Sequence, residues 1–354
     1  MSKTYNKGEW SELYTFLYTL GHGEIYAANE EMVKESDVKY NVISAFQKDT
    51  EYIIDKEKNE IIHDYNNKQY SHSIDEIKET SEVIFQEIKR GKGRTFTIPE
   101  ADKVIDSLHI NSLKAGSNLK GDINITVHDV YTNTKHILSF SVKSYIGGRA
   151  TLLNSSKQTT FVYELTKPLT SQEIKEVNAV ATSNKIRDKI MKIGNLGSSL
   201  RFYDCPSPVF VKNLKMIDYN LPSILAELYL ASYFVKGKRI KEVISYYIQQ
   251  NPNEDVDLIN YKVNQLLVAV ALGMVPDTTW NGIDEATGGY MVVKEDGEIL
   301  CYHLYERNKL SRYLFTHTSF DTPSSSRYGI GDIYIDPLTR KQFLNLNIQI
   351  RFCN

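Results

Sequence analysis

Cysteine is scarce in this chain: Cys205, Cys301 and Cys353 stand far apart in 354 residues. That spacing excludes a disulfide framework or a cysteine metal cluster, and it points to a reducing, cytoplasmic setting. Long apolar runs are missing too. No stretch approaches the roughly 20 apolar residues of a membrane span, so no membrane partner is expected. The opening MSKTYNKGEWSEL lacks the charged-then-apolar layout of a signal peptide. Charge of one sign is not in excess, since 42 Lys and Arg oppose 44 Asp and Glu for a net −2. This does not announce a nucleic-acid binder, yet a protein can be basic inside a cleft and acidic outside it. The cations gather locally at Lys89–Arg94 (KRGKGR), Lys185–Lys192 (KIRDKIMK) and Lys236–Lys241 (KGKRIK). The eight histidines are scattered without zinc-ligand spacing. Walker, dinucleotide and GxSxG signatures are all absent.

What is present is a chain long enough for a large core. Periodicity predicts a helix over Gly8–Leu20, strands near Glu24–Ala28 and Val42–Phe46, and a hairpin TEYIID/EIIHDY across KEKN. Helices follow at Ser73–Lys89 and Pro99–His109, then a central hairpin, a strand TTFVYEL and a helical stretch Ser171–Lys192. Further strands are expected at Leu200–Asp204 and Phe210–Ile217, with a helical block over Leu221–Leu272 and a hairpin GYMVVKEDGEILCYHLY. A short helix, a polar loop (Thr316–Gly331) and a strand FLNLNIQIRF end the chain. The class is α/β (α+β): a mixed central sheet flanked by helices, with a helical and β-hairpin C-terminal half. Residues 1–200 and 201–354 form its two halves, joined in one continuous compact unit.

The central hairpin, GDINITVHDVYTNTKHILSFSVKS over Gly121–Ser144, is the most informative segment. Ile123, Ile125 and Val127 share one face with Leu138, Phe140 and Val142. Asp122, Asn124 and Thr126 share the other with Ser139, Ser141 and Lys143. A turn centred on Tyr131–Lys135 places Asp122 across from Lys143, and Asn124 across from Ser141. An acid and a lysine at matched strand ends suit metal-dependent phosphodiester hydrolysis: the acid holds a divalent ion, and the lysine polarises water and stabilises charge on phosphate. An ordinary surface salt bridge is the competing account of the same pair.

Two more segments carry signals. On the N-terminal helix, Phe16, Glu9, Leu20, Leu13, Leu17 and Trp10 form one stripe, so Glu9 lies in the face to be buried. A buried carboxylate needs a partner or a cation. Asn6 also places Glu9 for a capping box, and the two roles are compatible; Glu12, at the stripe's edge, is a second candidate. In the last strand, Leu344, Leu346, Ile348, Ile350 and Phe352 alternate with Asn345, Asn347, Gln349 and Arg351. Amides and arginine make bidentate contacts with purine edges. The preceding loop HTSFDTPSSSRYGIG offers Ser324, Ser325, Ser326 and Arg327 to phosphates and bases.

Together, KGEWSELYTFLYTLG, SFSVKSYIGGRATLLNSSKQTTFVYEL, HTSFDTPSSSRYG and LNLNIQIRF resemble the HpaII-type family of type II restriction endonucleases, in the wider PD-(D/E)xK nuclease group. The blocks occur in order from both ends and the middle. The resemblance implies Mg2+-dependent hydrolysis of both strands of double-stranded DNA at a short specific site, leaving 5′-phosphate and 3′-hydroxyl ends. It also implies a protective DNA methyltransferase as genetic partner. A twofold assembly, a homodimer on DNA, is the natural expectation for a palindromic site. Asp122 matches the first acid and Lys143 the motif lysine. Ser141 stands where the wider group carries its second acid, and this departure leaves the metal a carboxylate short. Glu9, the backbone carbonyl of Val142 and the Asn124 amide are the expected replacements, with Glu164 a further stand-in; Asp129 is discounted because its parity puts it on the apolar face. Arg149, Thr151, Asn154 and Ser155, just past the lysine, are placed to follow DNA. Two alternatives share the scaffold: a structure-selective repair nuclease, and a sequence-specific DNA-binding protein that has lost catalysis.

Overall fold

The computed structural model describes residues 3–110, 121–129, 133–323 and 330–353. They fall into two compact units: Met1–Ala150 with Ala271–Gly273 and Asp284–Tyr313, and Thr151–Val270 with Met274–Ile283 and Leu314–Asn354. Asp284–Tyr313 joins the first unit because its hairpin Gly289–Val293/Ile299–His303 returns to extend that unit's sheet.

In the first unit, helix α1 (Lys7–His22) is followed by strand β1 (Lys34–Gln47), helices α2 (Ile74–Arg90) and α3 (Pro99–Ser107), and the hairpin of β2 (Ile123–Asp129) and β3 (Thr134–Ser144). Its sheet has nine strands, in the order Glu24–Ala28, Ile299–His303, Gly289–Val293, β3, β2, β1, Thr50–Asp55, Glu60–Tyr65 and Lys68–Ser73. Glu24–Ala28 also pairs with β1, closing six of these strands into a circuit. Gly289–Val293 runs parallel to β3, so the sheet is mixed, as expected.

Helix α1 is the centre of this unit. Asn6 Oδ1 accepts the Glu9 N–H (3.0 Å) and Glu9 Oε2 accepts the Asn6 N–H (2.9 Å), so two exposed donors of the first turn are satisfied reciprocally. The helix ends at Gly23, in the left-handed region at φ 60°. Between the caps, burial is not confined to one stripe: Ser11, Tyr14, Thr15 and Thr19 are buried along with Trp10, Leu13, Phe16, Leu17 and Leu20. The apolar residues join a core with Ile84, Phe85 and Ile88 of α2 and Ile125, Phe140 and Val142 of the hairpin. Each such side chain contributes about 1.5–3 kcal/mol of transfer free energy. At Gly21 the two helices touch, for a Cβ there would stand 3.0 Å from Lys78 Cα.

The second unit begins with Thr151–Leu153 and contains strand β4 (Thr160–Leu165), helix α4 (Ile240–Gln250), and strands β5 (Gln342–Asn347) and β6 (Gln349–Phe352). β4 and β5 are the inner strands of a four-stranded sheet, and β6 is the middle of a three-stranded one. Two expectations fail here. The run Phe210–Ile217 belongs to a helix, Pro208–Ile217, because Ser207 Oγ accepts the Phe210 N–H (3.2 Å) and proline occupies the first turn. The closing segment is not one strand, because Ile348 turns its N–H to Thr159 O (3.0 Å) and sends β5 and β6 into different sheets. The stretch Ser171–Lys192 divides likewise into two helices, Ser171–Asn178 and Lys185–Asn195. Among the described residues, no helix is long and apolar enough to cross a membrane.

Candidate active site

The hairpin ladder pairs Ile123 with Phe140 and Asn124 with Ser139. Asp122, one step beyond the last pair, thus lies opposite Ser141, two residues short of Lys143. Asn124 faces Ser139 rather than Ser141. The shift arises at the turn, where the ladder ends on Asp129–Thr134. A slip of two preserves parity, so Asp122, Ser141 and Lys143 still belong to one face.

Asp122 is held at the strand end by the backbone. Its N–H donates to Phe140 O (2.9 Å), and its Oδ2 accepts the Val142 N–H (2.7 Å). Lys143, half-buried, pairs in register with Val292 on the other side of β3, and Ser141 pairs with Tyr290. The hairpin's polar face is not a solvated one, because Asn124, Thr126 and Ser139 are all buried. Thr126 is satisfied by Ser44, whose Oγ donates to it at 2.7 Å. Among the described residues, Asn124 Oδ1 is buried without a hydrogen-bond partner. An orphaned acceptor in such a place suits a cation or an ordered water.

The carboxylate brought to this strand end is that of Glu12. Its carboxyl is pushed up to about 8, first by burial and then by the negative charge of Asp122; Lys143 pulls it down and Glu9 adds to the rise. Glu12, Asp122, Lys143 and Glu9 therefore share one electrostatic neighbourhood. Glu9 is the smallest of these influences on Glu12, and its carboxylate closes the helix cap. Helix α1 thus brings Glu12 into the electrostatic surroundings of Asp122 and Lys143. The stripe model ranks Glu12 only second, at its edge, because it treats the helix as buried on one side. Had the burial of Ser11 and Thr15, one residue before it and three after, been foreseen, Glu12 would have stood out as a carboxylate in need of a partner.

Other expected residues are placed differently. Glu164 is engaged by Lys341 (2.9 Å) and Arg201 (3.0 Å), which hold its carboxyl below the usual range. Asn347 is 1% exposed, with Oδ1 accepting from Thr160 Oγ1 (3.1 Å) and Nδ2 donating to Ser156 O (2.7 Å). Its amide is spent inside the fold and cannot read a base. Asn347→Ala is expected to cost about 1–3 kcal/mol in chemical unfolding, by removing its two side-chain hydrogen bonds, without changing which sequence is cut. Gln349 is buried opposite Asp321, and Arg351 Nε is bound to Asp321 Oδ2 (2.8 Å). Thr151 pairs with Arg351 at the start of its strand. Arg149 and Asn154 are exposed and Ser155 is half-buried. Ser324, Ser325, Ser326 and Arg327 lie outside the described residues.

Among the described residues, no group of three or more His, Cys, Asp or Glu could hold a metal by side chains alone. Two carboxylates with an orphaned amide oxygen nevertheless fit Mg2+. That ion is usually bound through one or two carboxylates, retained waters and substrate phosphate oxygens rather than by a protein cage.

The family model described as HpaII restriction endonuclease matches residues 6–352. Over 357 aligned residues, the chain is 39% identical to "Type II restriction enzyme HpaII" of Haemophilus parainfluenzae, covering 98% of each protein. No solved structure matches it. The chain belongs to the HpaII restriction endonuclease family and is a type II site-specific deoxyribonuclease, with DNA as its partner.

Proposed function

We propose that this enzyme hydrolyses both strands of a short duplex site with Mg2+, leaving 5′-phosphate and 3′-hydroxyl ends, and that the first unit performs the chemistry. Type II restriction endonucleases generally need a divalent metal. Here Asp122 and Glu12 would hold it, with the Val142 carbonyl and the Asn124 amide oxygen as candidate neutral ligands. The ion, when bound, would supply Lewis-acid stabilisation of the phosphate. The protein's own groups do the rest. Lys143 orients the water for in-line attack and meets the charge that grows on the phosphate oxygens. Val142 N–H fixes Asp122 Oδ2, so the carboxylate is set before DNA arrives. Burial and the charge of Asp122 push the Glu12 carboxyl up to about 8, and a bound cation would favour its ionised form.

The observation that carries this reading is that Asp122 and Lys143, on one face of the hairpin, are the charges that act on the Glu12 carboxyl. It weighs against an inactive DNA-binding protein, for which the serine at position 141 is the strongest argument. A palindromic site cut on both strands favours a twofold assembly, and a cytoplasmic host needs a methyltransferase to protect its own sites. Digestion of a sequenced plasmid with Mg2+, followed by end mapping, tests the reading. Discrete fragments with ligatable 5′-phosphate ends are expected. A smear, or ends that ligase rejects, contradicts it.

A further inference from the structure

The segment Lys236–Lys241 (KGKRIK) enters α4 in the second unit, and four of its six residues are cationic in a chain of net charge −2. Lys236, Arg239 and Lys241 are exposed. Among the described residues, none of these three forms an ion pair with a carboxylate. Lys238 behaves differently. Its Nζ donates to Thr322 Oγ1 (2.5 Å) and lies 4.0 Å from the centre of the Tyr233 ring. Gly237 and Lys238 both take left-handed backbone, at φ 76° and 54°, and Arg239 bridges in the backbone to Ser319. The segment is thus pinned to the strand Thr318–Asp321 and its extension, through one side chain and one backbone bridge.

This bracing gives the remaining cations a fixed setting. Arg239 and Lys241 line an open groove of about 600 Å3 together with Ser245, Tyr246, Gln249 and Glu242. Unpaired cations are costly neighbours for one another unless a polyanion compensates them, and the enzyme's partner is a polyanion. Hydroxyl and amide groups beside arginine and lysine are the donors that usually contact DNA phosphate oxygens. Glu242 is the one acid in the lining.

We propose that this groove is a sequence-independent binding site for the DNA phosphate backbone, with Arg239 and Lys241 as its principal contacts. The site increases affinity and sets the docking of the duplex without reading bases and without entering the chemistry. It rests on DNA being the partner, and not on the assignment of the catalytic residues.

The test measures binding of the full-length protein to a cognate and a scrambled duplex in Ca2+ between about 50 and 200 mM salt, the range over which phosphate contacts titrate most steeply. In the double variant Arg239→Ala/Lys241→Ala, affinity for both duplexes should fall together, by about tenfold. The plot of log affinity against log salt should become shallower by about 2, since each phosphate contact contributes about 0.9. Cleavage at saturating DNA should keep its kcat while KM rises. Arg239→Lys should retain most of the salt slope, and Glu242→Gln should tighten both duplexes severalfold. An unchanged slope in the double variant, or a loss confined to the cognate duplex, overturns the proposal. So does unchanged or weaker binding by a folded Glu242→Gln.

Discussion

Glu12→Gln should lower kcat by about a thousandfold or more, the scale of losing one electrostatic element of a phosphoryl-transfer site, and should at the same time stabilise the metal-free protein. The second effect follows from the carboxyl being pushed up to about 8 by burial, against an ordinary value of 4.5. Between those values the unfolded chain ionises Glu12 while the folded one keeps the proton. The folded state then binds more protons, and stability falls as pH rises. The cost begins near pH 4.5, grows through neutrality and levels off above about pH 8. Glutamine has no proton to lose. Its advantage in thermal unfolding without metal should be absent near pH 4.5 and reach on the order of 2 kcal/mol at pH 8, after allowance for the partial exposure of the group. With saturating Mg2+ the order should reverse, because the cation stabilises only the protein that can bind it. A variant that loses activity yet gains metal-free stability is the signature of a functional rather than a structural carboxylate.

The second large effect is expected at the strand end itself. Lys143→Ala and Asp122→Asn should each reduce cleavage by about a thousandfold or more, while specific binding in Ca2+ stays measurable. The choice of asparagine matters. Asp122 Oδ2 accepts the Val142 N–H at 2.7 Å, and an amide oxygen can accept that bond in the same way. Asp122→Asn therefore removes charge with little loss of stability. Asp122→Ala removes charge and acceptor together, and should cost a further 1–3 kcal/mol or so in chemical unfolding. Full cleavage by Lys143→Ala or Asp122→Asn in gel assays would remove the strand end from the chemistry.

Much of this site is legible in the amino-acid order, and the parts that are not have physical causes. The alternation of Ile123, Ile125 and Val127 against Leu138, Phe140 and Val142 reports a strand pair and its faces directly. The register does not follow from it, because alternation is unchanged by a slip of two residues and only the turn decides. That is why Asp122 faces Ser141 rather than Lys143 while remaining on the expected face. Glu9 satisfies the local signals of both cap and stripe, but a local pattern cannot say that α1 is enclosed almost all round, which is what singles out Glu12. The same limit applies to Asn347, whose polar-face position suggests solvent until β5 is seen as an inner strand. The helix Pro208–Ile217 shows the converse: Ser207 and Pro208 were a sufficient start signal, and the apolar spacing of the run obscured it.

The catalytic role of the helix rests on a single substitution of position, Glu12 for the acid absent at Ser141. Comparing single-turnover cleavage by Glu12→Gln and Glu9→Gln at saturating Mg2+ tests this most directly. Glu9→Gln should cut within about tenfold of the unaltered enzyme, since an uncharged side chain can still accept the Asn6 N–H. Glu12→Gln should be slower by about a thousandfold or more. The opposite ranking, or full activity in both, would contradict the account.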